Sequence, residues 1–342
     1  MYHQDLPRLY KYAHFWQVFC FYPFEMAKIK YQKIPKTFTE QVELLKKRGL
    51  TVPNENKAAK VLESISYNRL SAYWYPLLQE PKDDEIFKEN SSFETAFHFY
   101  QFDSELRSLT FHAIEQIEVA LRTQVIYHMS HKYGTGFWYE RPEAFSSYPY
   151  YVSLLSKICK GVAETKQDFI KKYDRKYEQY LPPAWKSFEI ITFRTLYSIY
   201  KNLKEAQDKI SISKKFGVHH SVFISWMDSL VYIRNICAHH TRLWNITLTI
   251  SPVWPKSLKF DWVHRWENEP KNVKTNDKKL KVYATACLIA YLLDRINPYH
   301  RFKDNLKTLL MKFPDVDIAH MGFPENWEDE PLWKTGNKQL NP

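Results

Sequence analysis

From Ser91 onward, apolar residues recur at helical spacing through Phe97, Leu106, Leu109, Ile114, Ile117, Leu121, Val125 and Ile126. Ser91 with Glu94 three residues later supplies a capping-box start for this run. A half-buried strand alternates with period two, so a period near 3.6 kept up over about forty residues marks one long helix or two in succession. Glycine adds a second constraint, with only 7 in 342 residues. That scarcity disfavours propellers, doubly wound nucleotide folds and tight-turned sandwiches, all of which need glycine at fixed turns. The fold class expected is mainly α, a helical bundle with N- and C-terminal helical extensions.

The rest of the chain divides around that run. Residues 1–35 read as an N-terminal extension. An N-terminal helical segment over 36–90 contains a first helix from Thr39 to Lys47, stopped at Gly49. A second helix follows with Asn54 as its cap and Ala58, Ala59, Val61, Leu62 and Ile65 as its apolar face. Residues 91–250 form the bundle, with helices near 150–164, 168–180, 185–204 and 206–216, and a last helix from Ser221 to His240. Residues 251–342 form a C-terminal segment and tail with a helix pair near 278–296 and 299–312. No internal repeat is visible.

Composition narrows the function classes. With 44% hydrophobic and 17% aromatic residues, this is a folded chain and not a disordered tail. Cys20, Cys159, Cys237 and Cys287 are far apart and show no metal-ligand spacing, which suits a reducing, cytoplasmic setting. No apolar run is long enough for a membrane span. The apolar stretch from Phe15 to Phe24 contains Gln17 and lacks a small-residue cleavage site, so residues 1–25 read as an extension, with an internal start at Met26 as one explanation and a secretory signal as a minor alternative. No glycine-rich phosphate loop and no metal-ligand cluster occurs, so neither a cofactor nor a metal is expected.

The net charge of +11 raises the prospect of a polyanionic partner. Lysines interleave with aromatics in three clusters, giving the RNA-binding candidates Lys171, Lys172, Arg175 and Lys176, then Lys201, Lys204, Lys214 and Lys215, then Lys278, Lys279 and Lys281. Cations for phosphates beside rings for bases is the composition of a single-strand or hairpin RNA surface. Each cluster taken alone also reads as a solvated helix face with buried tyrosines.

The chemistry concentrates in Arg234-Asn235-Ile236-Cys237-Ala238-His239-His240-Thr241-Arg242-Leu243-Trp244-Asn245. Arginine forks onto phosphate oxygens. Histidine takes and gives a proton near neutrality. An RNA strand carries its own nucleophile, the 2'-hydroxyl, so cleavage needs only removal of that proton, neutralisation of the crowded phosphorus and protonation of the leaving oxygen. On an ideal helix Asn235 and His239 share a face, whereas Arg234 and His239 lie about 140° apart. Convergence therefore needs a bend at the helix end, a reach by the arginine, or a second copy of the helix opposite. The bland reading is a helix end whose histidines cap carbonyls while Arg234 sits in a salt bridge. Spacing alone decides nothing, because Arg8, Arg107, Arg122 and Arg295 are also followed by a histidine at comparable distance. Arg107 and Arg122 with His112 and His128 form a weaker second candidate site. His219-His220 reads as a helix-start cap. Glu118 and Arg122, four apart, read as a stabilising ion pair or as support for the motif helix from behind, and Arg242 is a further candidate for that support.

The longer string resembles the signature of the Abi-like abortive infection proteins, the AbiD/AbiF family of bacterial phage defence. Further blocks resemble that family in order: Thr39 to Gly49, Tyr67 to Pro76, Phe102 to Arg107, Ile117 to Arg122, Pro182 to Trp185 and Met321 to Trp327. The family in turn resembles the HEPN superfamily of helical bundles. What the resemblance implies is metal-independent RNA cleavage in a homodimer, leaving 2',3'-cyclic phosphate and 5'-hydroxyl ends. Arg234 and His239 would be the catalytic pair, with Asn235 and His240 beside them. It also implies RNA as substrate and a cognate small structured RNA as a second partner. The rival expectation is a non-catalytic RNA-binding protein of a phage-defence ribonucleoprotein.

Overall fold

A computed structural model of the chain describes residue 30 and residues 33–255, 258–264 and 281–334. Most of the N-terminal extension, Lys278 and Lys279 lie outside the described residues. Among those residues there are twelve α-helices and no strands, only isolated bridges such as Thr51 with Ser92, so the expected mainly α class holds.

The long apolar run is a single helix, α4, from Phe93 to Tyr133. At 1.5 Å per residue its 41 residues span about 60 Å. Phe102, Leu106, Ala113, Ile114, Ile117, Leu121, Val125 and Met129 are buried at the spacing the sequence shows. The cap sits one residue later than expected. Ser92 accepts from the Thr95 N–H, while Ser91 is buried and its hydroxyl donates to the Leu77 carbonyl. Tertiary packing thus recruits the first serine, and the second closes the helix end. Glycine stops α4 as it should, with Gly134 left-handed at φ 66°.

Before α4 come α1 (Phe38–Lys47), α2 (Glu55–Ile65) and α3 (Tyr67–Trp74). Thr37 and Glu40 make a capping box on α1, and Asn54 caps α2 as expected. After α4 follow α5 (Tyr148–Glu164), α6 (Asp168–Asp174), α7 (Ala184–Ser187), α8 (Phe193–Lys201), α9 (Ala206–Lys214) and α10 (His220–Ala238). Two of these differ from the sequence reading. Helix α6 ends at Asp174 because residues 174–180 are all exposed and offer no buried face to extend it. The stretch 185–204 breaks at Ile191, which is extended, and Thr192 caps a new helix through the Thr195 N–H.

The C-terminal pair is α11 (Val282–Ile296) and α12 (Phe302–Lys312). Every residue of α11 from Val282 to Leu293 is buried, as expected of a helix apolar all round. No helix of the described residues is long and apolar enough to cross a membrane. Helices α3, α8, α9, α10, α11 and α12 all pack on α4. Helix α10 is held by Trp226, which stacks on Trp262, meets Tyr291 of α11 edge-on at 5.6 Å, and donates its indole N–H to the Val253 carbonyl at 2.8 Å. The Tyr197 hydroxyl of α8 donates to the Ile224 carbonyl. The first half of α10 is thereby fixed before any site chemistry is considered.

Candidate functional site

Helix α10 buries Phe223, Trp226, Met227, Leu230, Ile233, Ile236 and Cys237, which leaves Arg234 and Asn235 half-buried in its last two turns. The helix ends at Ala238, before either histidine. His239 is the C-cap, with φ −88° and ψ 8°. His240 is left-handed at φ 54°. The His240 N–H donates to the Cys237 carbonyl at 3.1 Å and the Thr241 N–H to the Ile236 carbonyl at 3.0 Å. That is a Schellman turn, in which the left-handed position is usually glycine. A histidine there carries a steric cost that glycine would not. The chain thus turns at His240, directly after the helix end.

The backbone of the histidines caps the helix, as the bland reading expects, but their side chains do not take part. Both histidines are exposed, and among the described residues neither imidazole has a hydrogen-bond or ion-pair partner. Arg234 also departs from the bland reading. No carboxylate among the described residues pairs with it. Its guanidinium lies over the Phe111 ring of α4 at 5.5 Å, and its buried Nε has no partner. The Asn235 amide is likewise unpaired among the described residues. Among the described residues, one arginine without a carboxylate and two imidazoles without a partner therefore lie at the end of one helix.

What holds this exit in place lies elsewhere in the chain. Asp103 of α4, 0% exposed, accepts from the backbone N–H groups of Leu243 and Trp244, at 3.0 Å and 2.5 Å. Its other oxygen accepts from the Tyr73 hydroxyl at 2.6 Å and from the Arg107 guanidinium. Burial pushes the Asp103 carboxyl up, and Arg107, Tyr73 and the two backbone groups oppose that shift. Every neighbour of Asp103 presents a donor, so the group that fits is the carboxylate. Helix α3 adds two ties. Arg69 donates to the His240 carbonyl at 2.8 Å, and Arg242 donates to the Ala72 carbonyl. Arg242 thus ties the exit turn to α3.

The other expected residues scatter. Glu118 and Arg122 pair with each other at 2.7 Å, and Arg122 reaches Glu189 at 3.8 Å; neither bonds to the exit turn. The second candidate site dissolves. Arg107 is locked on Asp103, His112 faces Glu115, and His128 faces Asp208. His219 caps α10 by accepting from the Ser221 N–H. Lys171, Lys172, Arg175, Lys176, Lys204, Lys214 and Lys215 are exposed. Exposed tyrosines, Tyr177 and Tyr180, stand beside the first cluster. Lys201 is exposed but pairs with Asp228 of α10 at 3.4 Å. Lys281 donates to the Thr247 hydroxyl, two residues past the motif. No group of carboxylates, histidines and cysteines among the described residues could hold a metal ion.

Arg69, Tyr73, Asp103 and Arg107 are the residues that sequence reasoning did not place at the site. Tyr73 and Arg69 sit in the block Tyr67 to Pro76, and Asp103 and Arg107 in Phe102 to Arg107, two of the stretches that carry the family resemblance. Nothing in either block shows that both fold onto residues 240–244. A family model described as Abi-like protein matches residues 60–245, from α2 to the end of the exit turn. No curated protein and no solved structure matches the chain.

Proposed function

We infer the function from one premise: the chain belongs to the Abi-like protein family, whose model spans more than half of it. That membership supports a role in abortive infection, a phage defence. Within that role we propose a HEPN-type endoribonuclease that needs no metal, with Arg234 and His239 as its catalytic pair. The observation that carries the proposal is the exit of α10, where Arg234 lacks a carboxylate partner and the imidazoles of His239 and His240 are exposed and unbound among the described residues.

An unpaired guanidinium on an aromatic face is free to take the equatorial oxygens of a phosphodiester. An exposed imidazole is free to remove the 2'-hydroxyl proton or to protonate the 5'-oxygen as it leaves. The 2'-oxygen attacks phosphorus, the bond to the 5'-oxygen breaks, and the products are a 2',3'-cyclic phosphate and a 5'-hydroxyl. His239 takes one of the two proton transfers. The complementary transfer falls to His240 or to His239 of a second copy, which is the case for a homodimer. Asn235 would hold a phosphate oxygen or an imidazole tautomer. The exposed cations at Lys171, Lys172, Arg175 and Lys176, with Tyr177 and Tyr180 beside them, suit a bound strand and a cognate small structured RNA that restrains the enzyme in the cytoplasm.

The test compares wild type with Arg234→Ala and His239→Ala proteins on mixed RNA in chelator, with the product ends analysed. Cleavage by wild type alone, leaving cyclic phosphates, supports the enzyme. No cleavage by any of them, together with a co-purifying RNA lost on charge reversal at Lys171 and Lys172, favours the rival reading of an RNA-binding protein.

A further inference from the structure

Helix α3 has two working faces. One carries the ties to the exit turn already described: Arg69 to the His240 carbonyl, the Ala72 carbonyl to Arg242, and Tyr73 to Asp103. The other presents Asn68 and Ser71, with Tyr75 just past the helix end, to an open cleft of about 530 Å³ bordered by residues of the loop 78–87. No residue of the α10 motif lines that cleft, so it is separate from the proposed catalytic site.

Its chemistry is specific. Tyr67 and Trp74 form an edge-to-face aromatic wall with ring centres 4.9 Å apart. Tyr75 is 52% exposed, and the Lys82 ammonium lies 5.7 Å from its ring. Lys33 stands at the rim with no partner among the described residues. Arg48 bonds to the Tyr67 hydroxyl and pairs with Glu85, so its charge is already answered. The Asn68 amide is exposed and unbound among the described residues, and the Ser71 hydroxyl donates to the Asn68 carbonyl, leaving its oxygen open as an acceptor. An adjoining cavity of about 470 Å³ shares Lys33, Arg48, Tyr67 and Glu85 and is lined by Gln41. The Gln41 Oε1 is buried without a partner among the described residues, an acceptor that suits an exocyclic amine.

We propose that this cleft binds one nucleotide unit and that its occupancy is coupled through α3 to the turn carrying His239 and His240. A cleft of this size is within the range of small-ligand sites. An exposed ring takes a base face, an amide and hydroxyls take its edge, and a free ammonium at the rim takes the phosphate. A ligand that binds α3 in its present position favours every contact α3 makes there. The nucleotide unit is either free in solution or one base of a bound strand. The effect on cleavage rests on the ribonuclease reading, whereas binding and its effect on the exit turn do not.

The experiment titrates the full chain calorimetrically with AMP, GMP, CMP and UMP in turn. The His239→Ala chain is titrated with four homopolymeric oligoribonucleotides, and Tyr75→Ala and Asn68→Ala are made in both backgrounds. Binding of a mononucleotide that falls about tenfold or more in Tyr75→Ala, with an unchanged thermal midpoint, assigns a free nucleotide. The same loss with an oligonucleotide only assigns a base of a strand. Asn68→Ala, at an exposed position, gives the same readout if Tyr75→Ala fails to fold. Binding that neither substitution weakens, or no binding of any probe, overturns the site. Hydrogen exchange over residues 239–244 reads the coupling: slower exchange with ligand supports it, and unchanged exchange overturns it.

Discussion

Arg107 and Arg234 are both helical, both lie beside the core, and each precedes a histidine by five residues, His112 and His239. Their surroundings are opposite. Arg107 is buried against Asp103 and the Tyr73 hydroxyl, while His112 faces Glu115 in solvent. Arg234 rests on the Phe111 ring with no carboxylate among the described residues, and His239 stands free at a helix exit. The same spacing thus yields a strut in one place and a candidate reactive pair in the other. What distinguishes them is whether the fold supplies a counter-charge.

The sharpest break of this contrast is to remove each arginine. Arg234→Ala is expected to lower RNA cleavage about a thousandfold, the scale of losing charge stabilisation in a transition state, while stability shifts by no more than about 1 kcal/mol for the lost cation–π contact. Arg107→Ala is expected to do the reverse in kind, costing about 3–5 kcal/mol of stability because it strips a buried carboxylate of its cation. Cleavage assays paired with denaturant midpoints on both proteins settle it. If Arg107→Ala unfolds no more easily than wild type, the strut reading fails.

Asp103→Ala sharpens the same point from the other side. It leaves the Arg107 guanidinium and the Leu243 and Trp244 N–H groups unsatisfied, for a cost of about 3 kcal/mol or more. Hydrogen exchange should also quicken at those two amides before it does elsewhere. A uniform change across the chain would argue against a clamp on the exit turn.

A smaller effect separates the two histidines. His240→Gly relieves the left-handed backbone and is expected to raise stability by about 1 kcal/mol, seen as a higher unfolding midpoint. If cleavage survives in that protein, His240 serves the turn and not the chemistry. The smallest effect concerns thiols. Burial pushes the Cys237 thiol up to about 12, so at pH 8 it stays protonated and unreactive. The half-buried Cys159 should be alkylated before Cys237, with mass spectrometry of the modified peptides as the readout; rapid labelling of Cys237 would mean that the end of α10 opens.

Much of the fold was legible because its signals are local. The buried positions of α4 follow the spacing of its apolar residues, Asn54 caps its helix by side-chain reach across three residues, and Gly134 stops α4 by adopting a left-handed conformation. Where tertiary contacts compete, the local signal slipped: Ser91 turned inward and Ser92 became the cap. The family and the motif string at the end of α10 were also readable in residue order alone.

That Arg234 meets no carboxylate among the described residues was not readable, and neither was the clamp that holds its neighbours. Asp103 and Leu243 lie 140 residues apart in the chain; nothing short-range ties one to the other. Sequence by itself determined the helical class, most of the helices and where the candidate side chains fall along them. Only the tertiary structure decided which arginine meets a carboxylate and which does not, because ion pairing depends on what long-range packing brings within a few ångströms, and spacing along one helix carries no record of that.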